Sequence, residues 1–324
     1  MKRFFQSEAG AVVLWVVSAI LLAATISPWL YQAGKGLGEI SAAGDLNVLA
    51  EWLGRSCRRA AFGRYFSRSL VISVLLLLPL LFRRIRRIRA DADSTGVAAH
   101  RFSWQSALVQ IAAGCVIAGG MLWAAGAVLE MLGAYVPKTK MPGIGKLAGA
   151  ILPAAIGASL LEEWLFRGLL LGLWLRFARP LAACLGTSLL FAFVHFLRPP
   201  DGAVIAAPGA PLAGFELLGV ILLHFTDPQF FITDFATLFV IGMILARARV
   251  RTGALWFSIG LHAGWILAFK AFNIIYQSVP GHPLRPWGVG DTLRSGILPL
   301  LALGLTAVIC HFVLKRFETK RALG

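Results

Sequence analysis

The sequence predicts an all-α, polytopic membrane protein with about eight transmembrane helices. Two observations carry this prediction. The chain of 324 residues is 58% hydrophobic and only 14% charged, which is too apolar for an ordinary soluble domain. The apolar residues also fall in separate runs, most of them close to the roughly 20 residues that a helix needs to cross a bilayer.

The predicted spans follow one another along the whole chain. They cover residues 11–31, 67–82, 106–132, 148–166, 180–197, 230–246, 253–276 and 295–317. A further apolar run at 215–225 is too short to cross a bilayer, so we expect a re-entrant or interfacial segment there. The spans predict three regions, namely an N-terminal membrane region with three spans and a basic loop (1–147), a core (148–276) and a C-terminal loop with the last span (277–324).

The net charge of +16 could indicate a nucleic-acid partner, but the positions of the charges argue against one. The densest basic cluster, Arg83 to Arg89, directly follows the apolar stretch 70–82. The positive-inside rule places such a flank in the cytoplasm, and the basic residues near both termini predict cytoplasmic N- and C-termini. We therefore expect membrane lipid as a partner and no nucleic acid. The alanine-, leucine- and glycine-rich composition indicates a bacterial inner membrane.

Two adjacent glutamates, Glu162 and Glu163, lie inside the fourth predicted span, and Arg167 follows on the same run. A charge at the centre of a transmembrane helix costs roughly 2.5–3.5 kcal/mol, so the pair requires a reason. On an α-helix Glu163 and Arg167 share a face and can pair, whereas Glu162 is rotated by about 100°. The ion pair alone fits a structural role equally well, but a second acidic residue within the span, Glu162, predicts a functional one.

Two histidines, His195 and His262, also lie in runs that otherwise predict membrane helix. Phe191 shares a helix face with His195, so its ring can pack beside the imidazole. A carboxylate and an imidazole in a partly dry cavity can activate a water molecule, and a second histidine can donate a hydrogen bond to an oxyanion. Alternatively, Glu162, His195 and His262 could bind a catalytic zinc ion with one open position. The expected cofactor is therefore either none or zinc.

Three motifs in this order resemble the CPBP family, which comprises type II CAAX prenyl endopeptidases and bacteriocin-processing or immunity relatives. The motifs are Glu-Glu-x-x-x-Arg at 162–167, Phe-x-x-x-His at 191–195, and Thr-Gly-Ala-Leu-Trp at 252–256 followed by His262. The resemblance covers roughly 152–270 and implies an eight-helix intramembrane protease with its catalytic core at 148–276.

Carried over by position, the resemblance implies catalytic roles for five residues. Glu162 and His195 would activate the water, Glu163 and Arg167 would support the site, and His262 would stabilise the oxyanion. The implied substrate is a peptide or protein within or near the membrane, and the implied enzyme is a glutamic-type or a metallo-type protease.

One position departs from the family pattern and keeps alternatives open. The family usually has asparagine or another polar residue four positions after the last histidine, where this chain has Ile266. Loss of one oxyanion donor can cost about 10²–10³ in rate. A non-catalytic membrane scaffold or immunity-type relative is therefore an alternative. A proton- or ion-coupled transporter is a third, although such transporters favour internal repeats, and we find none.

Overall fold

The computed structural model describes residues 8–44, 47–90, 103–139, 143–176, 178–197, 199–200 and 202–322. The basic residues near the N-terminus, Lys2 and Arg3, on which part of the predicted orientation depends, lie outside these residues. The helices of the described part are α1 (Glu8–Ala43), α2 (Val48–Arg59), α3 (Phe62–Ala90), α4 (Trp104–Met131), α5 (Ile144–Glu162), α6 (Leu171–Trp174), α7 (Pro180–His195), α8 (Ala213–His224), α9 (Pro228–Phe230), α10 (Ala236–Thr252), α11 (Trp256–Ile275) and α12 (Ile297–Ala322).

Two π-helical segments and two short strands complete the fold. The π-helical segments are Glu163–Leu170, between α5 and α6, and Phe231–Phe235, between α9 and α10. Strand β1 (Tyr135–Pro137) pairs antiparallel with β2 (Tyr276–Ser278), with Val136 opposite Gln277. The strands follow α4 and α11, so they join the ends of two helices that also pack together.

The prediction of an all-α polytopic membrane protein is confirmed. In the described residues, six helices are long and apolar enough to cross a membrane. They coincide with the predicted spans at 11–31, 67–82, 106–132, 230–246, 253–276 and 295–317. The other two predicted spans fall on the helix interrupted at Glu163 and on the shorter α7, so the count of eight stays a prediction.

The chain divides into two compact units. The first contains residues 1–97 and 195–226, and the second contains residues 98–194 and 227–324. In the first unit α8 packs on α1 through Gly214, where a Cβ atom would lie 1.9 Å from the carbonyl oxygen of Ala24. The predicted division at residues 147 and 276 stays a prediction.

In the second unit, α11 is held against α4 by glycines. A Cβ atom on Gly260 would lie 2.2 Å from the carbonyl oxygen of Ile111, and one on Gly264 would lie 2.4 Å from that of Cys115. Small residues four apart allow two membrane helices to approach closely. The backbone of α11 therefore lies directly against the backbone of α4. His262 lies on α11 between the two glycines.

Candidate active site

The candidate site begins where the helix that carries both glutamates changes its hydrogen-bond pattern. The π-helical segment starts at Glu163, directly after α5, and the amide of Leu171 donates to the carbonyl of Phe166, five residues earlier. A π-helical turn is wider than an α-helical one and frequently marks a functional site. Here the wider turn contains both Glu163 and Arg167. The sequence analysis predicts that these residues pair, but it assumes an ordinary α-helix.

The predicted pairing of Glu163 with Arg167 is confirmed. Arg167 Nη1 donates to Glu163 Oε1 over 2.9 Å, and the two side chains are 2% and 0% exposed, respectively. Arg167 Nη2 donates to the carbonyl of Gly242 over 3.3 Å. Its guanidinium also lies 4.3 Å from the ring centroid of Phe191, a cation–π distance. The arginine is therefore anchored by a carboxylate, a backbone carbonyl and an aromatic face.

Gly242 brings α10 close enough to supply that carbonyl. A Cβ atom on Gly242 would lie 2.9 Å from the Cβ atom of Ser188 on α7. A larger residue would push α10 away from α7. The absence of a side chain at this position thus contributes indirectly to the placement of Arg167.

His262 lies between the two glutamates. Its Nδ1 atom is 2.9 Å from Glu163 Oε1, and its Nε2 atom is 3.7 Å from Glu162 Oε2. An ionised carboxylate only accepts hydrogen bonds, so its contact with Glu163 requires the proton on Nδ1. Glu163 thereby fixes the orientation of the ring, and Nε2 is the nitrogen presented to Glu162.

The two glutamates differ in accessibility. The side chain of Glu162 is 26% exposed, whereas that of Glu163 is 0% exposed. Helical rotation predicts that the two carboxylates face different directions. In the structure they reach opposite edges of one imidazole ring, because α11 passes close enough for His262 to stand between them.

Aromatic rings form one wall of this cluster. Phe191 lies edge-on to the His262 ring at 6.0 Å and edge-on to Phe166 at 5.1 Å. The sequence places Phe191 beside His195 but gives no sign that it also contacts Arg167 and His262. These rings keep water from the buried side of the ion pair.

His195 is the last residue of α7 and is half-buried. It falls at the boundary of the two units and is grouped with the first, whereas the other four predicted site residues belong to the second. Its part in the site therefore stays a prediction from the sequence. Ile266, one turn after His262 on α11, is half-buried and offers no polar atom.

The same residues would have to supply the ligands of any metal ion at this site. Within the described ranges, no group of three or more His, Cys, Asp or Glu side chains could hold a metal ion. Because Nδ1 of His262 contacts Glu163, only Nε2 could serve as a ligand, with Glu162 as its neighbour. A zinc ion bound by Glu162, His195 and His262 therefore stays a prediction.

The sequence segment that contains these residues matches a known protein family. A family model described as type II CAAX prenyl endopeptidase Rce1-like matches residues 145–268, which include all five predicted site residues. These residues, fewer than half of the chain and called the CPBP segment below, are therefore similar to the CPBP family. Neither the curated proteins nor the solved structures give a significant match.

The resemblance stated from the motifs is thus confirmed. The apolar helices support an integral membrane protein, and the CPBP segment resembles the intramembrane proteases of that family. The matched residues run from α5 to α11, so residues 1–97 of the first unit lie outside the CPBP segment and its residues 195–226 lie within it.

Proposed function

We propose that this protein is an intramembrane endopeptidase that hydrolyses peptide bonds with a water molecule activated by Glu162 and His195. The observation that carries the proposal is the unequal pair of glutamates around His262. Glu163 is fully buried and is hydrogen-bonded to both Arg167 and His262. The side chain of Glu162 is partly exposed and lies on the Nε2 side of the His262 ring. We therefore assign a structural role to Glu163 and the chemistry to Glu162, whose side chain is 26% exposed.

The proposed reaction uses Glu162 as general base and then as general acid. Glu162 accepts a proton from water while the water oxygen attacks the carbonyl carbon of the scissile bond. The carbonyl electron pair moves to oxygen, and the resulting oxyanion accepts a hydrogen bond from Nε2 of His262 when that nitrogen carries a proton. The C–N bond then breaks, and Glu162 returns its proton to the leaving nitrogen, which gives a carboxyl group and an amine.

The charges of the cluster are consistent with this assignment. Arg167 contributes a positive charge beside the carboxylate of Glu163 and so offsets one of the negative charges of the cluster. This compensation matters here, because an uncompensated charge in a membrane helix is costly. His195 would orient the water beside Glu162, a role that rests on the Phe-x-x-x-His motif.

The substrate class follows from the position of the site in membrane helices. A peptide or protein segment within or near the bilayer is the substrate that could reach Glu162. CAAX-type prenylated tails are one such class, and the name of the matching family points to them.

A second candidate is a non-catalytic membrane scaffold or immunity-type relative, and Ile266 is the observation that favours it. The family's polar residue at this position would lie one turn from His262 and could supply a second oxyanion donor. A protein without that donor would keep the ion-pair architecture but lose turnover.

Cleavage of a quenched membrane-peptide library by the detergent-purified protein distinguishes the two candidates. We expect the wild type to cleave at least one peptide and Glu162→Ala and His195→Ala to cleave none. Cleavage that survives both substitutions would contradict the assignment of these residues. A wild type without activity on any peptide, including prenylated ones, would favour the scaffold.

A further inference from the structure

A cavity lies in the first unit, outside the CPBP segment. It has a volume of about 380 Å³, which is within the range of roughly 300–1,000 Å³ found for ligand pockets. It is formed by the beginning of α1 and the end of α3. Its lining residues are Ala11, Leu14, Trp15, Ser18, Leu77, Leu80, Leu81, Arg83, Arg84 and Arg87.

The spacing of the lining residues shows that one face of α1 and one face of α3 form the cavity. On α1 the lining positions 11, 14, 15 and 18 repeat at three and four residues, so they form one helix face. On α3 the positions 77, 80, 81, 84 and 87 do the same. The cavity is therefore a groove between one face of α1 and one face of α3, and irregular loops do not form it.

The groove changes from apolar to cationic along α3. Leucines line it at 77, 80 and 81, and arginines line it at 83, 84 and 87. At 1.5 Å per residue, position 87 lies about 15 Å beyond position 77 along the helix axis. Glu8, one turn before Ala11, brings one carboxylate to the same end of α1, so the cations outnumber it.

We propose that this groove binds one anionic phospholipid, with its phosphate on Arg83, Arg84 and Arg87 and an acyl chain along the leucines. The three guanidiniums supply charge-assisted hydrogen bonds to phosphate oxygens. The apolar part matches a hydrocarbon chain, which a nucleic acid or a soluble phosphate lacks. Lipid is also the solvent that surrounds both helices, since α1 and α3 are both long and apolar enough to cross a membrane.

Arg86 provides the matched control. It belongs to the same basic cluster and is exposed, but it does not line the groove. Arg86→Gln and Arg87→Gln therefore remove the same charge from neighbouring positions. A basic cluster that acts only through its total charge predicts equal effects from the two substitutions, whereas a groove site predicts unequal ones.

The test measures binding of fluorescent phosphatidylglycerol to the full chain in nanodiscs of phosphatidylcholine. We expect Arg87→Gln to weaken binding about fivefold and the triple Arg83→Gln/Arg84→Gln/Arg87→Gln variant on the order of 100-fold. Arg86→Gln should change binding less than about twofold, since Arg86 does not line the groove and a surface charge away from the bound phosphate contributes little. Leu14→Trp, which fills the apolar part of the groove, should also weaken binding.

Several results would overturn the proposal. Equal losses from Arg86→Gln and Arg87→Gln would show a diffuse charge effect. Competition by glycerol phosphate as strong as competition by the lipid would show a headgroup site without an acyl chain. Competition by RNA at physiological salt as effective as that by phosphatidylglycerol would show a polyanion surface. Because the single Arg87→Gln variant alters one exposed side chain, the comparison holds even if the triple variant fails to fold.

Discussion

Replacing Arg167 with methionine tests the buried ion pair directly. The substitution removes the donor that contacts Glu163 Oε1 at 2.9 Å, the donor to the Gly242 carbonyl at 3.3 Å and the cation over Phe191 at 4.3 Å. Glu163 is 0% exposed, so its charge is left with His262 as its described partner. Removing one member of a buried pair costs about 3–5 kcal/mol, and we expect a loss of that size in the free energy of unfolding.

The assay is reversible unfolding in mixed detergent micelles, read by circular dichroism. Arg176→Met is the matched control, because Arg176 is exposed just beyond α6, and its loss should change the free energy of unfolding by less than about 0.5 kcal/mol. In Glu163→Gln/Arg167→Met the stranded charge is absent, so the two losses should fall short of additivity by about 0.5–3 kcal/mol. Strictly additive losses, or an Arg167→Met loss below about 1 kcal/mol, would refute the reasoning.

Three further predictions follow from the packing and the site. Gly264→Ala places a Cβ atom 2.4 Å from the Cys115 carbonyl oxygen, whereas Gly120→Ala meets nothing within 4 Å. The first should lower the free energy of unfolding by about 1–3 kcal/mol and the second by less than about 0.5 kcal/mol, and equal effects would contradict the helix contact. Phe191→Leu should lower that free energy by roughly 0.5–2 kcal/mol through loss of the cation–π contact, and an unchanged unfolding midpoint would argue against that contact. In a peptide-cleavage assay, treatment with a chelator should leave the rate unchanged, and a loss of activity that zinc restores would contradict the metal-free mechanism.

Local patterns in the sequence predict much of the fold and part of the site. Apolar runs predict the long helices because burial in lipid requires a continuous apolar surface. The Glu163–Arg167 pair is also local, since both residues lie within one helical turn. The positions of Glu162, His195 and His262 in separate motifs are sufficient to indicate a catalytic site through resemblance to a family.

The contacts between distant helices could not be predicted in the same way. That His262 stands between Glu162 and Glu163 depends on how α11 packs on the end of α5 as well as on α4. The glycines at 260 and 264 permit the contact with α4 but do not specify the contact with α5. The π-helical turn at Glu163 likewise has no local signature, because the same residues would form an ordinary α-helix in isolation. Tertiary packing, rather than local preference, determines both features.

The central claim is that Glu162, and not its buried neighbour, performs the chemistry. The most direct measurement is kcat for peptide cleavage by Glu162→Gln, compared with wild-type protein of the same unfolding midpoint. The account predicts a loss of about 10²–10⁴-fold, because the amide keeps the shape of the side chain but cannot accept the proton from water. A kcat within about threefold of the wild type, with folding unchanged, would contradict it.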